Sequence, residues 1–113
     1  MKKALRFSQL SQSQKALVRL CQDLNYGSIL DVKITDGEVS LDPQTDVLVN
    51  LQLGLEAGAR EESRLADFEL CSEVRRLLAE IDGLQNGTIE EIVVNSGVPR
   101  RVILRRRVSQ HRL

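Results

Sequence analysis

Residues 26–37 and 86–97 read as two versions of one segment. Tyr26-Gly27-Ser28-Ile29-Leu30-Asp31-Val32-Lys33-Ile34-Thr35-Asp36-Gly37 aligns with Asn86-Gly87-Thr88-Ile89-Glu90-Glu91-Ile92-Val93-Val94-Asn95-Ser96-Gly97 at a constant offset of sixty residues. Gly27/Gly87, Ile29/Ile89 and Gly37/Gly97 are identical, and Ser28/Thr88, Asp31/Glu91, Val32/Ile92 and Ile34/Val94 are close. Upstream, Leu17/Leu77 and Leu24/Leu84 keep the offset. Such a pattern constrains the fold strongly, because each copy is one supersecondary unit that must bury its apolar face on a neighbour.

The first copy carries its own punctuation. Leu10, Leu17, Leu20, Cys21 and Leu24 recur at helical spacing. Ser11 and Gln14 have capping-box spacing, in which the hydroxyl accepts an early backbone N–H and the amide reaches back. Gly27 follows the last apolar residue, where a left-handed helix cap favours glycine. A strand comes next, with Leu30, Val32 and Ile34 on one face and Asp31, Lys33 and Thr35 on the other. Asp36-Gly37 is a hairpin turn signal, and Val39 and Leu41 resume the alternation. Asp42-Pro43-Gln44-Thr45-Asp46 interrupts it, and Val47, Val49, Leu51 and Leu53 alternate again as a further strand.

The second copy repeats the plan after a small, charged linker from Gly54 to Ser63. Leu65, Phe68, Cys71, Val74, Leu77/Leu78 and Ile81 form a helical stripe, closed by Gly83 and Asn86-Gly87. Ile89 to Val94 is a strand, Ser96-Gly97 a turn, and Val98, Val102 and Leu104 one face of the last strand, with Ile103 on the other. Val102-Ile103-Leu104 matches Val47-Leu48-Val49 if the first copy has five extra residues.

A lone helix plus hairpin is too small to bury a good core. The expected fold is therefore α+β: two helix-plus-β-hairpin repeats forming an antiparallel sheet with two helices on one face. Residues 1–113 make a single domain of two repeats, about 8–53 and 63–108, with 109–113 as a flexible tail. Pairing within one chain and exchange between two chains both satisfy the pattern. Gly27, Gly37, Gly87 and Gly97 are the expected turn and cap positions.

A helix followed by Tyr26-Gly27-Ser28-Ile29, an alternating strand and Ile34-Thr35-Asp36-Gly37-Glu38-Val39 resembles the YezD-like family of small bacterial proteins, which are about one such unit long. Residues 16–41 carry the match, and residues 76–104 look like a divergent copy, with Asn86 for the Tyr, Ser96-Gly97 for Asp-Gly, and Pro99 entering the second strand. The resemblance implies a tandem duplication and a bacterial source. It carries no activity over to any residue.

Zero net charge hides strong segregation. Residues 1–20 sum to +5, 21–46 to −5, 47–91 to −6, and 92–113 to +6 with no acid. On an extended strand Arg101, Arg105 and Arg107 share a face around Ile103, while Arg100 and Arg106 flank Val102 and Leu104 on the other. Charged edge strands block unwanted sheet pairing, and that role suits these arginines. The same stripe is a candidate anion or nucleic-acid contact, since the guanidinium fork matches phosphate. Against that, the rest of the chain is acidic and no aromatic residue is interleaved for base stacking.

Catalytic chemistry is thin. His111 is the sole histidine and sits in the basic tail, which leaves a nucleophilic triad without a placed base. Glu90 and Glu91 are adjacent in a strand and point apart, and Glu61 and Glu62 favour a helix start. Tyr26 reads as an amphipathic cap packed on Leu24. Asp42 and Asp46 lack the count and spacing of a calcium loop. Cys21 and Cys71 read as reduced core thiols, and the N-terminus has no apolar signal core, so the expected location is cytoplasmic. The reading is a non-enzymatic protein-interaction or self-association module without metal or cofactor. The alternative is a nucleic-acid binder that uses Arg101, Arg105 and Arg107.

Overall fold

A computed structural model describes residues 6–41, 45–51, 53 and 65–105. The element order is a 3₁₀ turn (Phe7–Gln9), α1 (Gln12–Leu24), β1 (Gly27–Thr35), β2 (Glu38–Ser40), β3 (Asp46–Val49), α2 (Ser72–Leu84), β4 (Gly87–Asn95) and β5 (Val98–Leu104). The class is α+β: one five-stranded antiparallel sheet with two helices. The strand order is β2-β1-β4-β5, and β3 also pairs with β1. The linker from Gly54 to Ser63, Arg107 and the tail 109–113 lie outside the described residues.

Each helix starts and stops for local reasons. Ser11 caps α1, accepting the N–H of Gln14, while the Gln14 side chain takes the N–H of Ser11, which completes the capping box. Cys71 stands at the N-cap of α2 without a side-chain cap bond, and Glu73 supplies the acidic first turn. Both helices are thirteen residues long and begin sixty residues apart. Both end in a γ-turn. The Tyr26 N–H donates to the Leu24 carbonyl (2.7 Å) over Asn25, at φ 63°, ψ −60°; the Asn86 N–H donates to the Leu84 carbonyl (2.6 Å) over Gln85, at φ 60°, ψ −57°. Such positive-φ γ-turns are rare and strained.

The helix caps are thus Asn25 and Gln85, not the glycines expected from sequence. Gly27 and Gly87 instead open their strands at φ +153° and +157°. At Gly27 the reason is close approach: a Cβ would stand 2.0 Å from the Leu48 carbonyl oxygen of β3. The hairpin turns match expectation, with Asp36-Gly37 at φ 51° and 77° and Ser96-Gly97 at 54° and 74°, the two consecutive positive values of a tight hairpin.

β1 and β4 form the centre of the sheet. Ile29 faces Ile92, Leu30 faces Glu91 and Val32 faces Ile89. Ile29, Val32, Ile89, Ile92 and Val94 are all 0% exposed, beneath Leu17 and Ile81 of the helices. Each buried side chain of this size contributes roughly 1.5–3 kcal/mol from burial. The strand alternation breaks at Asp31, which adopts φ 56°. Leu30, expected beside Val32 and Ile34, consequently leaves the core face, and Ile29 takes its place.

Three further expectations change. The helical stripe from Leu65 runs too far upstream: α2 begins at Ser72, Leu65 is exposed, and Phe68 packs on Phe7. Val47 and Val49 alternate in sequence, but no helix among the described residues covers β3, and all four of its residues are exposed. The match of Val102 to Val47 is out of register: Val47 pairs with Ile29, whereas the partner of Ile89 is Leu104 and Val102 pairs with Ile92. The shift comes from irregularities in the β4–β5 ladder at Glu90 and Arg100.

Candidate interaction surfaces

The sheet has two contrasting edges. β5 carries the arginines singled out in the sequence. Arg100 reaches across to α2 and pairs with Glu73, and Arg105 pairs with Glu90 of the neighbouring strand. Arg101 stands opposite Val93 and is exposed. Arg107 lies outside the described residues. The stripe is therefore not a row of free cations: Arg105 is engaged, and exposed pairs of this kind add only about 0–1 kcal/mol to stability. An open groove runs between α2 and β5, floored by Leu77, Leu84, Val102 and Leu104 and rimmed by Glu73, Arg76, Glu80 and Arg100.

The opposite edge is apolar. β1 is flanked on its outer side by β2 along Lys33–Thr35 and by β3 along Gly27–Leu30. Val47 is 37% exposed, Leu48 56%, Val49 58%, Leu51 72% and Leu53 96%. Asp46 is the one charged residue in β3. Sequence reasoning saw the alternation here but not its exposure, because alternation reports a strand and not what covers it.

A third feature escaped the sequence reading. Phe7 and Phe68 stack at 5.0 Å between centroids, and the Arg19 guanidinium lies 4.3 Å from the Phe7 centroid and 5.5 Å from that of Phe68. Arg19 also donates to the buried Gln22 side chain (3.0 Å) and to the Leu65 carbonyl. The Phe7 N–H donates to the Phe68 carbonyl at 2.9 Å. Asp67 accepts from the Arg6 guanidinium and from the Ser8 N–H, each at 2.8 Å. These donors hold the Asp67 carboxyl down at about 2. The signal available was the placement of two of the three aromatics just ahead of the two helices.

The remaining candidates occupy structural positions. The Tyr26 hydroxyl hydrogen-bonds with Ser96 Oγ at 2.8 Å, joining the start of β1 to the far hairpin turn. Glu91 accepts from Ser28 Oγ (2.8 Å), whereas Glu90 takes Arg105, so the two carboxylates serve different partners. Cys21 and Cys71 are free and line one cavity of about 90 Å³ with Gln22, Leu17 and Val98. Burial pushes the Cys21 thiol up to about 12, which makes it unreactive at neutral pH. Among the described residues no three His, Cys, Asp or Glu side chains group to hold a metal, and no helix is long and apolar enough to cross a membrane.

In comparisons with known proteins, the chain matches no family model, no curated protein and no solved structure.

Proposed function

We propose that this chain is a small non-enzymatic interaction module that self-associates through its sheet. The observation behind the reading is the set of exposed apolar residues Val47, Leu48, Val49, Leu51 and Leu53, on and just after β3, a strand that has β1 as its sole strand partner among the described residues. Exposed apolar runs on sheet edges are liabilities unless something pairs with them. The likeness to the YezD-like unit, and the identical spacing of helix, strand and turn in the two halves, support a tandem duplication. In this reading the duplication supplies a sheet and leaves its edges for partners, and the cytoplasm is where two free thiols fit best.

Nucleic-acid binding is the second reading, and Arg101, exposed on β5, favours it. It is the weaker of the two because Arg100 and Arg105 are already paired with carboxylates. The deciding experiment is sedimentation velocity from low to high micromolar protein, run beside fluorescence anisotropy of labelled duplex DNA and single-stranded RNA at two salt concentrations. A weight-average mass that rises with concentration, with no salt-sensitive nucleic-acid binding, supports the module. Constant monomer mass, with nucleic-acid binding lost at higher salt and in Arg101→Glu, overturns it.

A further inference from the structure

We infer that the partner at the apolar edge is a second copy of the same chain, joined β3 to β3 about a two-fold axis at Leu48. This rests on the self-association reading and goes further by assigning the edge, the register and the symmetry.

The main chain sets the register. The Asn50 N–H donates to the Tyr26 carbonyl at 2.9 Å, so Asn50 turns its backbone groups toward β1. Antiparallel ladders alternate, so Asp46 and Leu48 also turn theirs inward, while Val47 and Val49 turn their N–H and C=O outward. A two-fold pairing must join outward residues to outward residues. Centring it on Leu48 does this: Val47 exchanges both hydrogen bonds with Val49 of the partner subunit, and Leu48 meets Leu48 of the partner subunit in the closer, non-bonded pair. Asp46 then falls opposite Asn50 of the partner subunit, so no like charges face each other.

Charge and area select this edge over β5. A two-fold pairing of β5 centred on Ile103 would set Arg101 against Arg105 of the partner subunit, two like charges, and β5 itself carries no acid. Pairing β3 with β5 of another copy is heterologous and, unless it closes into a ring, grows into a filament; the two-fold at β3 closes. The exposed parts of Val47, Leu48, Val49, Leu51 and Leu53 amount to on the order of 500 Å² per chain, near the upper end for one patch on a monomer. Two such runs bring together on the order of 1,000 Å², where specific interfaces begin. A closed dimer follows, and its sheet continues across both chains.

The test is sedimentation equilibrium on the full chain, on Leu48→Lys and on Arg101→Glu, with circular dichroism to establish that all three are folded. The wild-type chain should reach twice the chain mass. Leu48→Lys should raise the dimer dissociation constant at least tenfold, because each substitution enters the interface twice, and Arg101→Glu should leave it unchanged. In a Cys71→Ser background, Leu48→Cys should form a covalent dimer in oxidised glutathione, whereas Arg101→Cys should not, since paired positions lie within disulfide reach. A dimer whose dissociation constant is unmoved by Leu48→Lys, with no crosslink at position 48, overturns the edge assignment while self-association stands. A monomer at every concentration overturns both.

Discussion

The backbone N–H of Gly97 donates to the carbonyl oxygen of Asn25 across 2.8 Å. Asn25 is the centre of the γ-turn that ends α1, and Gly97 is in the hairpin between β4 and β5. The reciprocal bond exists: the Gly37 N–H donates to the Gln85 carbonyl at 2.7 Å. Each half of the sequence thus holds the other's hairpin at the point where its own helix is strained. The side chains one position on reinforce both clasps, Tyr26 through Ser96 Oγ and Asn86 through the Asp36 N–H.

The strain at these turns is measurable. A left-handed backbone costs a residue with a Cβ about 1–2 kcal/mol, and Asn tolerates it better than Gln. Gln85→Gly should therefore stabilise the protein by roughly 0.5–1 kcal/mol, since its main-chain bonds survive. Asn25→Gly should change stability by less. Urea midpoints at constant m-value decide between them. A loss of stability in Gln85→Gly would show that the Gln85 side chain, bonded to the Asp82 carbonyl, outweighs the backbone strain.

Gly27 and Gly87 occupy matching positions but should respond differently to alanine. At Gly27 a Cβ meets the Leu48 carbonyl oxygen at 2.0 Å, and backbone on both sides must move. At Gly87 the nearest atom is the Leu84 Cδ1 at 3.3 Å, the end of a side chain that can swing away. Gly27→Ala should cost about 2–3 kcal/mol, and Gly87→Ala about 1 kcal/mol. Amide exchange at Asn50 should accelerate in Gly27→Ala alone, because the strand that protects it is pushed off β1.

The two helix starts invite an exchange. Ser11→Ala should cost about 1 kcal/mol, through loss of the capping box. Cys71→Ser should gain about 0.5–1 kcal/mol, by giving α2 the side-chain cap it lacks. Thermal unfolding of both variants and their double mutant should show additive effects, since the caps share no hydrogen-bond partner among those described.

Acid should release the N-terminal segment before it unfolds the sheet. Asp67 is lowered from 3.8 to about 2 by the Arg6 guanidinium and the Ser8 N–H. A depressed carboxyl stabilises the folded form above its unfolded value, and that contribution fades as pH falls through the folded one. Between pH 3.8 and about 2 the bond to Ser8 should weaken, seen as faster Ser8 amide exchange. Asp67→Asn should abolish that pH dependence while β1 and β4 amides stay protected.

Much of the skeleton was legible because it is local. A capping box needs only Ser11 and Gln14, and a tight turn needs only Asp36-Gly37 or Ser96-Gly97. What stayed hidden depends on neighbours distant in sequence. Gly27 looks like a helix cap until β3 is laid over it. Asp31 leaves the alternation at the middle of β1, where it would otherwise face Glu90, and the pattern of apolar residues gave no sign of that step. Arg105 reads as a free cation until β4 brings Glu90 beside it. Phe7 and Phe68 are 61 residues apart, and nothing in either segment announces the other.

The β1–β4 register has a consequence for how the protein is made. Ile29 waits for Ile92, so the ribosome must release more than sixty further residues before the sheet can close at its centre. Until then the emerging first half presents Ile29, Val32 and Ile34 on a nine-residue strand with an open inner border. A message truncated after the first half would leave that border permanently bare. Such a fragment should be the form that chaperones hold and that precipitates when they do not.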